Sequence, residues 1–318
     1  MLTRDRDALL VECLRGLFAQ RRAVDRVIVL DNASSRPVAA ALARAGMLDD
    51  PRLEVHRSEH NLGGAGGYHL GLKLAAAKPE DWIWLLDDDA EPTPEALERL
   101  LASRAAGDPG TVALGSAVRF PDGGIDAQHR CRLGRFAIPL GPEAYRPGAD
   151  ADVELASFVG LLVRRAAVKR IGLPRAEMFL GYDDADYSLR LRREGRIRLV
   201  PESVVIHKIP VGGAESTARS RVANRLVGAG YGSAPWSSYW KDLYRIRNFV
   251  WLRRTHTGMT PAGLALVVAG YLGRSLVYDQ RPLRRLPWLL RFAWRGWRGD
   301  FAPEPSPADW ARIASVRR

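Results

Sequence analysis

The chain has 318 residues, 47% hydrophobic and 26% charged, enough to bury a substantial core as one large domain or a domain with an appendage. Two lone cysteines, Cys13 and Cys131, argue against a disulfide framework or a thiolate metal cluster and agree with a reducing cytoplasm. The net charge of +12 is uneven: from Pro235 to Arg318 there are 15 Lys and Arg against 5 Asp and Glu, which leaves only +2 for everything before.

Arg4 to Gln20 has helical periodicity, with Leu9, Leu10, Cys13, Leu14 and Leu17 on one face. Its start lacks the charged-then-apolar pattern of a secretory signal. Val27 to Leu30 reads as a buried strand ending in Asp31-Asn32, Val38 to Ala45 as a short helix, and Leu53 to His56 as a strand. Asn61 to Gly67 then reads as a glycine loop feeding a helix from Tyr68 to Ala77. Trp82 to Leu86 is a five-residue apolar strand, followed by Asp87-Asp88-Asp89 and a helix from Pro94 to Ser103. Thr111 to Phe120 and Ser157 to Val163 read as further strands, separated by a long Gly- and Pro-rich loop on the substrate side. A helix opens at Asp183-Asp184 and closes at Gly195, with strands at Arg196 to Leu199 and Val204 to His207 beyond it. Residues 211–234, rich in Gly and Ser, suggest a flap. This alternation predicts an α/β fold with a mostly parallel sheet flanked by helices.

Three adjacent carboxylates at the end of a buried strand repel one another unless a cation sits among them. Hard divalent ions take oxygen ligands, and open α/β sheets carry their chemistry at strand carboxyl ends. Asp87 and Asp89, as alternate residues, converge on one ion; the plainer reading is a solvated turn. Glycines opening a helix let backbone N–H groups approach a phosphate or sugar, although the same run serves as a linker. In Tyr182 to Tyr187, Asp183 reads as a helix cap, and three acids in four residues leave one for general-base work. A histidine ending an apolar strand is usually structural. As a ligand, His207 would favour Mn²⁺ over Mg²⁺. His56, His60, His69, His129 and His256 show no comparable context.

Seven of the nine tryptophans fall after residue 235, interleaved with basic residues, a pattern suited to an anionic membrane surface. The apolar run Ala262 to Gly273 is shorter than the ~20 residues that span a bilayer, so the expectation is a segment lying on the membrane. Nucleic acid is not an expected partner, because no nucleic-acid motif accompanies the charge.

Taken in order, these motifs resemble the inverting family 2 glycosyltransferases of GT-A fold, in the galactofuranosyltransferase and rhamnosyltransferase branch. The matching pieces are Leu30-Asp31-Asn32-Ala33-Ser34, Asn61 to Gly67, Trp82 to Asp89, Asp183-Asp184-Ala185-Asp186-Tyr187 and His207; Tyr244 to Asn248 resembles a segment that follows the catalytic domain in this group. The resemblance implies a catalytic domain at 1–234 and a helical, basic extension at 235–318. It implies a UDP- or dTDP-linked sugar donor, with Asp87, Asp89 and His207 holding Mn²⁺ or Mg²⁺. Asp184 would be the base. Asp31, Thr3 and Arg6 would contact the nucleobase, and Asp88, Asn61, Gly63, Gly64 and Gly66 would line the donor pocket. The acceptor would be a cell-envelope glycan or polyprenyl-linked lipid, reached from the cytoplasmic face of the plasma membrane.

The resemblance departs at the amino end. Such proteins begin with an apolar strand ending in a Thr-x-x-Arg-like element, whereas this chain opens directly at Met1-Leu2-Thr3-Arg4-Asp5-Arg6. Either the true start lies upstream or the sheet lacks a central strand. Two other readings fit the residues: a sugar nucleotidyltransferase, although its basic glycine loop is missing, and a non-catalytic membrane-surface binding module.

Overall fold

The computed structural model describes residues 1–134, 137–149, 151–208, 235–279, 282–303 and 305–315. The chain forms two compact units, Met1–Ala176 with Asp183–Pro210, and Glu177–Tyr182 with Val211–Arg318. The flap expected at 211–234 lies outside the described residues, and the boundary expected after residue 234 falls at their edge.

The first unit opens with three parallel strands in the order β1 (Leu2–Thr3), β2 (Val27–Asp31) and β3 (Leu53–Arg57). Helix α1 (Asp7–Phe18) buries the apolar stripe Leu10, Cys13, Leu14 and Leu17, and α2 (Ala39–Arg44) buries Ala41 and Leu42. Helix α3 runs Gly63–Ala76. The glycine run is therefore the first turn of a helix and not a loop before one. A side chain at Gly66 would meet Leu62 Cβ at 2.8 Å and one at Gly67 would meet Leu2 Cδ1 at 2.4 Å, so close packing overrides the poor helix propensity of glycine.

The larger sheet is mixed. Its order is β4 (Trp82–Leu85), β11 (Leu161–Arg164), β6 (Thr111–Arg119), β12 (Arg196–His207) and β5 (Ala90–Pro92), with β9 (Ala151–Val153) also paired to β12. Only β6 and β12 run parallel within it. The two strands expected at 196–199 and 204–207 are one, because a register shift between Val200 and Val204 accommodates Pro201. The stretch expected as a long loop forms a small sheet of β10 (Leu155–Ala156), β7 (Arg130–Leu133) and β8 (Ala137–Pro139). Helices α4 (Ala96–Ala102), α5 (Arg104–Gly107), α6 (Arg165–Ile171) and α7 (Asp183–Leu191) complete the unit. Two apolar layers fill it, one around Tyr68, Leu72, Phe158 and Tyr187, the other around Leu14, Val29, Leu97 and Leu162.

The second unit is helical: α8 (Trp240–Thr257), α9 (Pro261–Tyr278), α10 (Pro282–Arg298) and α11 (Pro307–Ser315). Its core joins Tyr239, Leu243, Tyr244, Leu289, Phe292 and the fully buried Trp310. Most tail tryptophans pack here, and Trp294 is the one that stands exposed. Asn248 donates to the carbonyls of Met178, Leu180 and Gly181 at 2.9, 3.1 and 2.8 Å, and Arg247 donates to Met178 at 2.8 Å. These bonds hold a strained segment, with Phe179 at φ 61° and Tyr182 at φ 63°, that leads directly into α7.

Candidate active site

The acidic run sits where the sequence placed it, between β4 and β5, and its three carboxylates have different surroundings. Asp87 accepts from the Tyr68 hydroxyl at 2.6 Å. Burial, then the neighbouring Asp89, pushes its pKa up to about 6. Asp88 accepts from Thr3 at 2.8 Å and from Arg6 at 3.1 Å. Arg6 also reaches one oxygen of Asp89, at 2.7 Å. Thus Thr3 and Arg6, expected at the nucleobase, bond to the acidic run.

The other oxygen of Asp89, Oδ1, is buried without a hydrogen-bond partner, and His207 Nε2 lies 3.7 Å from it. The pairing of β12 with β5 sets His207 opposite Ala90, and Lys208 N–H donates to the Asp89 carbonyl at 2.8 Å. His207 Nδ1 lies 3.2 Å from Asp126 Oδ2. As an ionised carboxylate only accepts, Nδ1 is the donor of this bond, and Nε2 is the ring nitrogen that faces Asp89. A carboxylate oxygen with no hydrogen-bond partner and an imidazole nitrogen facing it are a donor pair suited to a divalent ion.

Sequence reasoning missed Asp126 and dismissed His129. His129 Nε2 donates to the same Asp126 oxygen at 3.1 Å, and its Nδ1 accepts from Ser157 at 2.7 Å. Asp126, His129 and His207 offer ligand atoms within 4.8 Å of one another. Burial raises the Asp126 carboxyl, yet its bonds from the two histidines outweigh that and leave it below the ordinary range. The Asp-x-x-His spacing at 126–129 was the available signal, hidden in a stretch read as loop. Behind it, the fully buried Arg130 donates to the carbonyls of His129, Ser157, Val159 and Gly160, and burial lowers its pKa to about 10.

Asp183, Asp184 and Asp186 occupy the first turn of α7. Asp186 is spent on Arg190 at 2.9 Å. Asp183 is buried and Asp184 half-buried, with one Asp184 oxygen accepting from Ala185 N–H at 2.7 Å. Burial raises both pKa values, and the neighbouring charge of Asp184 raises Asp183 further. Two carboxyl groups with raised pKa values, side by side at the start of a helix, are the candidates for proton transfer in this site.

Asp31 accepts from Ser34 N–H at 2.8 Å and Val38 N–H at 3.3 Å in the turn after β2, and from Arg57 at the end of β3 at 2.5 Å. Asn61, just ahead of the N-cap Leu62 of α3, accepts from Gly63 N–H at 2.9 Å and from Asn32 at 3.2 Å. Gly63 and Gly66 are buried in the first turn, whereas Gly64 has open space where a side chain would project.

Comparison with known proteins assigns this arrangement. The sequence profile described as "Glycosyl transferase family 2" matches residues 1–172. The chain is 31% identical over 203 residues to the galactofuranosyltransferase GlfT1 of Mycolicibacterium smegmatis, covering 61% of this chain and 65% of that protein. It is 32% identical over 205 residues to GlfT1 of Mycobacterium tuberculosis, covering 61% of this chain and 64% of that one. The chain thus spans just under two thirds of the curated relatives it matches. Among solved structures, GalNAc-T7 with UDP, GalNAc and Mn²⁺ superposes with a TM-score of 0.51 at 14% identity, over 87% of this chain and 52% of that one. TarS of S. aureus superposes with a TM-score of 0.50 at 12% identity, over 94% of this chain and 53% of that one. These two are GT-A glycosyltransferases and show the fold. The chain belongs to glycosyl transferase family 2.

Proposed function

We propose that the protein transfers a sugar with inversion from a nucleotide-diphosphate donor to a cell-envelope glycan or polyprenyl-linked acceptor, with galactofuranose from a UDP-linked donor as the first choice and rhamnose from a dTDP-linked donor as the second. The observation that carries the reading is the Asp89–His207 pair, an orphaned buried oxygen 3.7 Å from Nε2 of an imidazole whose Nδ1 bonds to Asp126. The likeness to GlfT1 favours galactofuranose.

Asp89 and His207, with Asp87 beside them, would hold Mn²⁺ or Mg²⁺. A cation there offsets the negative charge that develops on the nucleotide diphosphate as the sugar–phosphate bond breaks. Asp126 fixes the His207 tautomer, and Thr3 and Arg6 orient Asp88 and Asp89. Backbone N–H groups at the start of α3 favour an anion nearby, and Asn61 sets the angle at which that helix begins. Asp184, the more open of its pair, accepts the proton of the attacking acceptor hydroxyl. A single base with no enzyme nucleophile inverts the anomeric carbon.

The exposed leucines of α9, with Leu266 at 59% and Leu276 at 54% exposure, support a membrane-associated enzyme. This helix is 18 residues long, beyond the apolar run read from sequence, with the composition of a membrane-crossing helix. At about 27 Å it falls just short of a ~30 Å hydrocarbon core. Lying on an anionic surface beside the arginines of α10 is the reading we retain.

The test is release of UDP from UDP-galactofuranose, and of dTDP from dTDP-rhamnose, in the presence of membrane-extracted acceptors. Turnover of the first donor with an inverted product supports the assignment. Turnover of dTDP-rhamnose alone replaces the sugar, and turnover of neither removes the proposal.

A further inference from the structure

Asp126 and His129 meet His207 through the pairing of distant segments. The turn after β6 folds back so that Asp126 N–H donates to the Val118 carbonyl at 2.9 Å, and β12 runs beside β6, which sets His207 against that turn. His129 Nε2 and His207 Nδ1 both address one oxygen of Asp126, at 3.1 and 3.2 Å. The two rings meet edge to face, with centroids 4.9 Å apart. Asp126 and His207 are buried, and His129 is half-buried.

A tetrahedral Zn²⁺ with ligands at about 2.0–2.2 Å sets those ligands about 3.3–3.5 Å apart. The two separations from Asp126 fall just under that edge, and the ligand atoms of all three residues lie within 4.8 Å of one another. The outer ring nitrogens fit as well. If His207 Nδ1 binds an ion, the ring hydrogen moves to Nε2, which faces the partnerless Asp89 Oδ1 at 3.7 Å. If His129 Nε2 binds the same ion, the hydrogen moves to Nδ1, which then donates to Ser157 Oγ at 2.7 Å. Each ligating imidazole would thus give its other N–H to an oxygen, as metal-bound histidines almost always do. Two imidazoles with one carboxylate suit Zn²⁺, whereas Mn²⁺ and Mg²⁺ favour the oxygen-rich acidic run.

We propose that Asp126, His129 and His207 form a second metal site, suited to Zn²⁺, whose occupation excludes the cation of the acidic run. A neutral imidazole has one lone pair. His207 therefore serves one ion at a time, through Nε2 beside Asp89 or through Nδ1 beside Asp126 and His129. Water completes the fourth position around Zn²⁺. Zinc thereby takes a ligand from the site that the proposed function requires, and transfer is inhibited. Only this competition rests on that reading; the zinc site itself stands on its own three residues.

The test is calorimetric titration of Zn²⁺, and separately of Mn²⁺, into the full chain and its His129→Gln and Asp89→Asn variants. Losing a ligand costs more than the roughly 10- to 100-fold lost with an outer partner, so His129→Gln should lower Zn²⁺ affinity at least about a hundredfold. Its Mn²⁺ affinity should stay close to that of the unaltered chain. Asp89→Asn is expected to do the reverse, keeping Zn²⁺ binding and losing Mn²⁺ binding. Zn²⁺ affinity unchanged in His129→Gln and lost in Asp89→Asn would overturn the proposal by placing both ions in the acidic run. Co²⁺ added to the unaltered chain gives a readout that needs no variant. The intense visible absorption of a tetrahedral ion, abolished by Zn²⁺, is expected; the pale spectrum of an octahedral ion would overturn the site. Should Mn²⁺ bind none of the three proteins, the proposed function falls and the exclusion with it, while the Zn²⁺ affinities still decide the site.

Discussion

Asp184 and Asp126 separate chemistry from positioning at the scale of single residues. Asp184→Asn removes the proton acceptor without disturbing the donor side, so transfer should fall by at least about a hundredfold while UDP binding is kept. Full transfer in that variant, measured by product formation, would move the base to Asp183. Asp126→Asn leaves a ligand-capable His207 whose tautomer is no longer fixed. Mn²⁺ affinity should drop by roughly 10- to 100-fold in a direct titration. Asp87 adds a pH dependence with a definite sign. Its folded pKa of about 6 is above the ordinary 3.8, so its contribution to stability is complete at low pH and is lost as pH rises through 6. A bound cation needs the ionised form and relieves that cost. The Tm gain from Mn²⁺ should therefore be small at pH 5 and several degrees at pH 7.5, as thermal melts at the two pH values will show.

Among elements, the second unit depends on close approach of α8 and α10. A side chain at Gly296 would come within 2.2 Å of the Arg247 carbonyl oxygen, a backbone atom that cannot rotate away. Gly296→Ala should cost about 3 kcal/mol in denaturant unfolding, at the upper end for an overpacked core. The same Arg247 and its neighbour Asn248 fasten residues 178–181 through their carbonyls. The elements show how far the sequence could be read. Apolar runs such as Val27 to Leu30 and Trp82 to Leu86 announce their strands because burial on both faces demands continuous hydrophobicity. The run Asn61 to Gly67 misleads, because local propensity says loop, whereas the packing of Gly67 against Leu2 demands a glycine inside a helix. The Asp126–His129 spacing is in the sequence, but its link to His207 is not. Their proximity to His207 is created by the pairing of distant segments, and no periodicity in the chain records it.

For the molecule as a whole, the tail's apolar exposure is carried by other residues than the tryptophans. Most of those pack inward, and the exposed apolar side chains include Leu266 and Leu276 of α9 and Leu283 and Trp294 of α10. The protein should co-float with vesicles containing phosphatidylglycerol, and a Leu266→Gln, Leu276→Gln variant should remain behind. Equal flotation of the two would relocate the contact. The central claim concerns the other unit, where β5 and β12 bring Asp89 and His207 to one point. Its most direct test is calorimetric titration of UDP, and of dTDP for comparison, into the protein with and without Mn²⁺. The account predicts UDP binding that requires Mn²⁺ and is abolished in His207→Ala. UDP binding that is indifferent to Mn²⁺, or unchanged in that variant, would contradict it.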